Sequence, residues 1–158
     1  MREPRSLPGT QNRFQVLHEI AEEARASLPR NIWDYMRGAT ETETTAKRNR
    51  MAIDTLALRP RMLRDVTDIS LASTFMGAEL ELPLTFAPIG SLESFHPEGG
   101  AAAARAAARH GMMTTLSSVS APGLEATAEA APGPKIFQLY VRGDSDWIDD
   151  HAHRAIAA

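Results

Sequence analysis

The sequence predicts an α/β fold built on a parallel sheet, and three observations carry that prediction. From Gly77 onward, short apolar runs alternate with helical patterns. The loops between them are short, as βα and αβ connections are. Three of the apolar runs, L-P-L-T-F-A-P-I-G-S, M-M-T-T-L-S-S and P-K-I-F-Q-L-Y, close in small, hydroxyl or amide residues. Polar groups therefore gather at the C-terminal ends of strands, where both barrels and open α/β sheets place their sites.

Taken in order, residues 1–12 are polar with two prolines and read as a mobile lead-in. Phe14, Leu17, Ala21, Ala24 and Leu28 recur at helical spacing among charges, and Pro29 stops the pattern. A second helix is expected over 31–37, ending at Gly38, and a third from near Thr42 to about Asp54. Residues 56–76 lack periodicity, and Arg59-Pro60-Arg61 and Ser73-Thr74 read as irregular, partly extended chain. After Gly77 the alternation A-E-L-E-L predicts a half-exposed strand, followed by the apolar run 84–88. The alanine-rich stretch 100–110 predicts a helix closed by Gly111. A buried strand over 112–116, a helix over 123–131, a strand over 135–141 and a helix over 145–158 complete the series. The domain plan is thus a lead-in over 1–12, a helical segment with its connection over 13–76, and the α/β part over 77–158.

Composition narrows the function. The 158 residues, 43% hydrophobic, are enough for a sizeable core, and a net charge of -3 with mixed signs leaves no basic stripe for nucleic acid and no polybasic membrane anchor. No apolar stretch approaches a membrane span and no signal-peptide core is present, so a cytoplasmic location is expected. With no cysteine, disulfides, thiolate metal sites and a cysteine nucleophile are excluded.

Gln138 and Tyr140 stand two apart in an apolar run, which on a strand places an amide and a phenol on one face in need of partners. Read locally, Ser117 and Ser118 either end a strand or serve a site, and Tyr35 is either a packing aromatic or a ligand-binding one. The histidines carry no metal pattern. His18 and His110 fall on helices and His96 in a loop, while His151 and His153 point about 200° apart on the last helix. Gly99-Gly100 lacks the G-x-G-x-x-G spacing of a phosphate turn and reads as a loop entering the alanine-rich helix.

From about Leu28 onward the chain carries L-P-R-N-I-W-D-Y, E-T-T-A-K-R-N, L-R-P-R-M-L-R-D-V, L-P-L-T-F-A-P-I-G, H-P-E-G-G-A-A-A-A-R-A-A, T-L-S-S and F-Q-L-Y-V-R-G-D. In this order and spacing it resembles the FMN-dependent 2-hydroxy-acid oxidases and dehydrogenases, which include glycolate oxidase, lactate oxidase and mandelate dehydrogenase. The resemblance implies the N-terminal portion of a TIM (β/α)8 barrel, about three β/α units, preceded by a helical segment and incomplete within this chain. It implies FMN as cofactor and oxidation of an L-2-hydroxy acid to the 2-oxo acid by a full-length protein expected to be a homo-oligomer.

Carried over residue by residue, Tyr35 matches the tyrosine that binds the substrate carboxylate and Tyr140 the one near the substrate hydroxyl. Ala87, Pro88, Ile89 and Gly90 match the loop along the flavin ring, and Ser117 and Gln138 match side chains that bond its pyrimidine edge. No histidine here matches the family's base, which is expected beyond Ala158; the fragment alone would then be inactive.

Three positions depart from the family. The run Gly38-Ala39-Thr40-Glu41-Thr42 replaces a second glycine followed by alanine and an acidic residue, Gly100 stands where many members carry glutamate, and Val119 stands where glycolate oxidase has a tryptophan lining the substrate pocket. Other readings are a non-catalytic truncated remnant, or another FMN barrel such as type 2 isopentenyl diphosphate isomerase, which the matched Tyr35 and Tyr140 argue against.

Overall fold

A computed structural model describes residues 13–158 and divides the chain into two units, Met1–Arg59 and Pro60–Ala158. The lead-in expected over 1–12 lies outside the described residues. In the first unit, helix α1 spans Leu17–Ser27, α2 Arg30–Arg37 and α3 Thr44–Asp54. Helix α1 starts later than the apolar spacing from Phe14 indicates, because Val16 has extended backbone and the Glu19 carboxylate accepts the N–H groups of Gln15 and Val16 (2.6 and 3.4 Å). Pro29 separates α1 from α2, and its carbonyl accepts from both Ile32 and Trp33. The start of α3 expected near Thr42 moves to Thr44, since Glu41 and Glu43 adopt left-handed backbone with φ of 52° and 59°.

The second unit opens with a feature the sequence did not announce. Strand β1 (Ser73–Phe75) pairs antiparallel with β2 (Ala78–Leu80), so Ser73-Thr74, expected in irregular chain, belongs to a hairpin. Its two-residue turn, Met76-Gly77, has positive φ at both positions (50° and 78°), as a type I′ turn requires. Methionine at the first position hid the turn, because the usual signal is Asn-Gly or Asp-Gly. Thr74 Oγ1 donates to Glu79 Oε1 across the pair, and the Glu81 N–H donates to the Gly111 carbonyl, tying the hairpin to the turn after the alanine-rich helix.

The remaining elements alternate. Strand β3 (Thr85–Phe86) leads to helix α4 (Gly99–Arg109), β4 (Met113–Ser117) to α5 (Leu124–Ala130), and β5 (Lys135–Gln138) to α6 (Ser145–Ala157). The three strands form one parallel sheet in the order β3-β4-β5, with Phe86 opposite Thr114 and Ser117 opposite Gln138. Helix α4 lies close on β4 because its inward face is made of Ala101, Ala104 and Ala107, all buried. Leu116 completes that core, and burying a side chain of its size contributes about 1.5–3 kcal/mol. Helix α6 begins at Asp144, whose carboxylate accepts the Trp147 N–H at 3.0 Å.

Two strand lengths differ from expectation. The run 84–88 yields only Thr85–Phe86, bracketed by Pro83 and by Pro88, which has no N–H to give a ladder. The strand expected over 135–141 ends at Gln138 because the Tyr140 N–H turns to Ser118 Oγ (3.0 Å), a side-chain acceptor competing with the ladder. Tyr140 therefore does not share a strand face with Gln138.

Two contacts of this unit give measurable effects. Thr127, 1% exposed, is the only fully buried large side chain of the described residues, and its Oγ1 has no hydrogen-bond partner. Thr127→Val keeps the shape and removes the stranded hydroxyl, so a gain of about 1 kcal/mol is expected, read as a higher urea midpoint.

The other contact joins α5 to α6. Arg154 grips both oxygens of Glu125 (2.6 and 3.1 Å) and also reaches Asp150, and this pairing holds the Glu125 carboxyl down to about 2 from 4.5. A depressed carboxylate stabilises the fold above its unfolded value and loses that contribution as it is protonated. Wild-type and Glu125→Gln stabilities should therefore differ modestly above pH 4.5 and converge as pH falls to about 2. Solvent exposure keeps the difference small. A pH series of unfolding midpoints that ran parallel for the two proteins would contradict it.

Candidate functional site

The C-terminal ends of β4 and β5 bring together two of the residues singled out in the sequence. Ser117 and Gln138 stand opposite each other in the parallel register, and the Ser117 hydroxyl donates to Gln138 Oε1 at 3.1 Å. Ser117 is 2% exposed, and its Oγ also accepts the Val119 N–H at 3.4 Å. The adjacent Leu116 packs toward α4, where a Cβ placed on Gly100 would lie 3.0 Å from its Cδ1, so Ser117 faces the opposite side of the sheet. With its oxygen engaged, the Gln138 amide retains its NH2 as the group free to donate.

Tyr140 joins this end of the sheet by its backbone. Its N–H donates to Ser118 Oγ, while the Ser118 N–H donates to the Gln138 carbonyl (2.9 Å) and continues the ladder. The Tyr140 ring is 53% exposed. Ser118 is thus a positioning hydroxyl where the sequence left a choice between strand end and site.

The loop after β3 carries Ala87, Pro88, Ile89 and Gly90, the first three exposed. It meets the loop after β4 closely: a Cβ on Gly90 would lie 2.9 Å from Val119 Cγ2, and the Ser91 N–H donates to the Val119 carbonyl at 2.9 Å. The sheet ends therefore present an exposed chain segment at 87–89, an amide NH2 from Gln138 and a phenol from Tyr140. Such a set can line a planar ring with a polar edge and a small hydroxylated ligand beside it. Tyr35 belongs to the first unit, where it stands on α2 at 69% exposure.

Elsewhere, the first unit has an open groove of about 1040 Å³ lined by Ile20, Trp33, Arg25, Arg37 and Arg50 among others. It contains none of the residues matched to a ligand by the resemblance, and the chemistry of the strand ends outweighs its size. Among the described residues there is no cluster of His, Cys, Asp or Glu able to hold a metal ion, and no helix long and apolar enough to cross a membrane.

Comparison with known proteins shows the family. A family model described as FMN-dependent dehydrogenase matches residues 24–158. Glycolate oxidase 3 of Oryza sativa subsp. indica is 39% identical over 137 residues, covering 87% of this chain and 37% of that protein. L-lactate dehydrogenase of Vibrio parahaemolyticus is 38% identical over 135 residues, covering 85% and 36%. Among solved structures, mandelate oxidase with benzoyl-formic acid superposes with a TM-score of 0.85 at 35% identity, over 91% of this chain and 43% of that one. The chain thus spans little more than a third of the curated relatives it matches.

Proposed function

Because the chain belongs to the FMN-dependent dehydrogenase family, we propose that it is the N-terminal part of an enzyme that oxidises an L-2-hydroxy acid to the 2-oxo acid on FMN. In this reading the sheet β3-β4-β5 is the first portion of a (β/α)8 barrel, and the residues at its strand ends would hold the flavin. The observation that carries it is the Ser117–Gln138 hydrogen bond, which leaves an amide NH2 at the end of adjacent parallel strands within the segment matched to the family. A pyrimidine-dione edge presents carbonyl oxygens, and this donor set fits it. Bound FMN supplies the acceptor for the hydride equivalent leaving the substrate carbon.

The chain's own residues bind and orient. Gln138 would donate to the polar edge of the flavin, stabilising charge that grows there on reduction, and Ser117 holds the amide in place so that little reorganisation would be needed. The exposed chain of Ala87, Pro88 and Ile89, with the half-buried Gly90, would line the ring. Tyr140 would direct its phenol to the substrate hydroxyl; Tyr35, on α2 of the first unit, is the residue that the family resemblance matches to the carboxylate ligand. Val119, in place of the glycolate oxidase tryptophan, leaves room for a bulkier acid than glycolate.

The test is flavin retention and bleaching. The protein carried through the length of its relatives should release FMN on denaturation, and its visible absorbance should fall anaerobically with L- but not D-2-hydroxy acids. Absence of flavin, or a flavin left oxidised by the whole panel, would overturn the reading.

A further inference from the structure

The two loops at the site are joined by a carboxylate that no sequence pattern singles out. Glu93, in the 3₁₀ turn Leu92–Ser94 after β3, accepts the backbone N–H of Ala121 through Oε2 at 2.9 Å, across 28 residues of chain. The carbonyl of the same residue accepts the Gly100 N–H at 2.9 Å. Both polar groups of Ala121 are therefore held by the segment that follows β3, as is the Val119 carbonyl, which takes the Ser91 N–H. Ser91 itself sits at φ 55°, a backbone state that persists in a serine only where the surroundings over-determine it.

A second observation concerns where this junction keeps its negative charge. A Cβ on Gly100 would lie 3.2 Å from Thr127 Oγ1 and 3.5 Å from Ser120 Oγ, so the glutamate carried there by many family members would start beside two hydroxyls. Here position 100 offers no side chain, and the Thr127 hydroxyl is left without a partner. The carboxylate reaching the loop after β4 comes from position 93 instead.

We propose that Glu93 is a positioning residue, which through Ala121 clamps the 118–121 loop against the 87–91 loop and so fixes Ser117 and Val119 beside the flavin. This rests on the reading of the strand ends as an FMN site. Neither Ser117 nor Val119 is hydrogen-bonded to Glu93; the effect passes through the Ala121 peptide. A carboxylate accepting a backbone N–H is a charge-assisted bond, stronger than a neutral one.

The experiment compares Glu93→Ala and Glu93→Gln in the flavin-loaded protein by amide exchange at Ala121, FMN dissociation constant and flavin reduction potential. In Glu93→Ala, Ala121 exchange should rise and FMN affinity fall, each about tenfold, with the potential shifted. Glu93→Gln keeps an acceptor oxygen and should restore most of the affinity, a rescue that a purely charge-based effect would not give. Unchanged Ala121 exchange in Glu93→Ala would overturn the contact. Faster exchange with affinity and potential unchanged would overturn the positioning role while leaving the FMN site standing. A wild-type protein without flavin would overturn the reading beneath it, and this role with it.

Discussion

Gly99→Ala is expected to unfold the second unit or leave it insoluble, the largest effect of adding a Cβ at any glycine among the described residues. Gly99 has φ +50°, and a Cβ there would lie 2.2 Å from the Ala121 carbonyl oxygen, 3.2 Å from its carbon and 3.3 Å from the Glu93 nitrogen. All three are backbone atoms, so no side chain can swing aside. Relief requires moving the start of α4 away from the 119–121 loop, and that breaks the Gly100 to Ala121 bond.

Backbone strain at left-handed φ costs about 1–2 kcal/mol for a residue with a Cβ, and the loss of packing around the loop takes the total beyond about 4 kcal/mol, the exceptional range for one substitution. Against a typical stability of about 5–15 kcal/mol, that is most of what holds a domain folded. Gly77→Ala supplies the control, because Gly77 also has positive φ (78°) but a Cβ there meets nothing within 4 Å. It should lose only the backbone part. Equal urea midpoints for the two variants would refute the steric argument.

How far the sequence reveals this structure depends on whether a contact is local or distant in the chain. Helices α4 and α6 and strand β4 follow from periodicity, since the alanine face of α4 and the apolar run into Ser117 repeat at intervals a short window can see. Strand β1 and the turn into β2 do not, although the A-E-L-E-L alternation marks β2 itself, because Met76 adopts φ 50° without any of the residue types that favour it. Strand β5 was overdrawn for a related reason: a serine on the neighbouring strand takes the Tyr140 N–H, and nothing between 135 and 141 records that.

The site divides along the same line. Ser117 and Gln138 were legible as polar residues ending apolar runs, and the family resemblance gave them a shared ligand. Their direct hydrogen bond needed the strand register. Glu93 lay wholly outside reach, since an acidic residue in an exposed loop is ordinarily a solvated one, and its partner is a backbone N–H far along the chain.

In the flavin-loaded protein, Gln138→Leu should raise the FMN dissociation constant about 10–100-fold, the equivalent of losing a bond of about 1.5–3 kcal/mol to a group that gains charge. It should also lower the flavin reduction potential, because the reduced ring loses more stabilisation than the oxidised one when a donor at its edge is removed. Two effects contribute. Leucine removes the NH2 donor, and it strands the Ser117 hydroxyl, which at 2% exposure has no water to turn to.

Ser117→Ala separates the two effects. It leaves the amide in place but frees it to rotate, so affinity should fall less than in Gln138→Leu while the potential moves in the same direction. If the two residues act as one unit, the double variant should be no worse than Gln138→Leu alone, because once the amide is gone the serine has nothing to orient. Additive losses would mean that Ser117 reaches the flavin independently. A dissociation constant for Gln138→Leu within twofold of wild type, with an unmoved potential, would remove Gln138 from the flavin edge, and the donor set at the strand ends would then have to serve a different ligand.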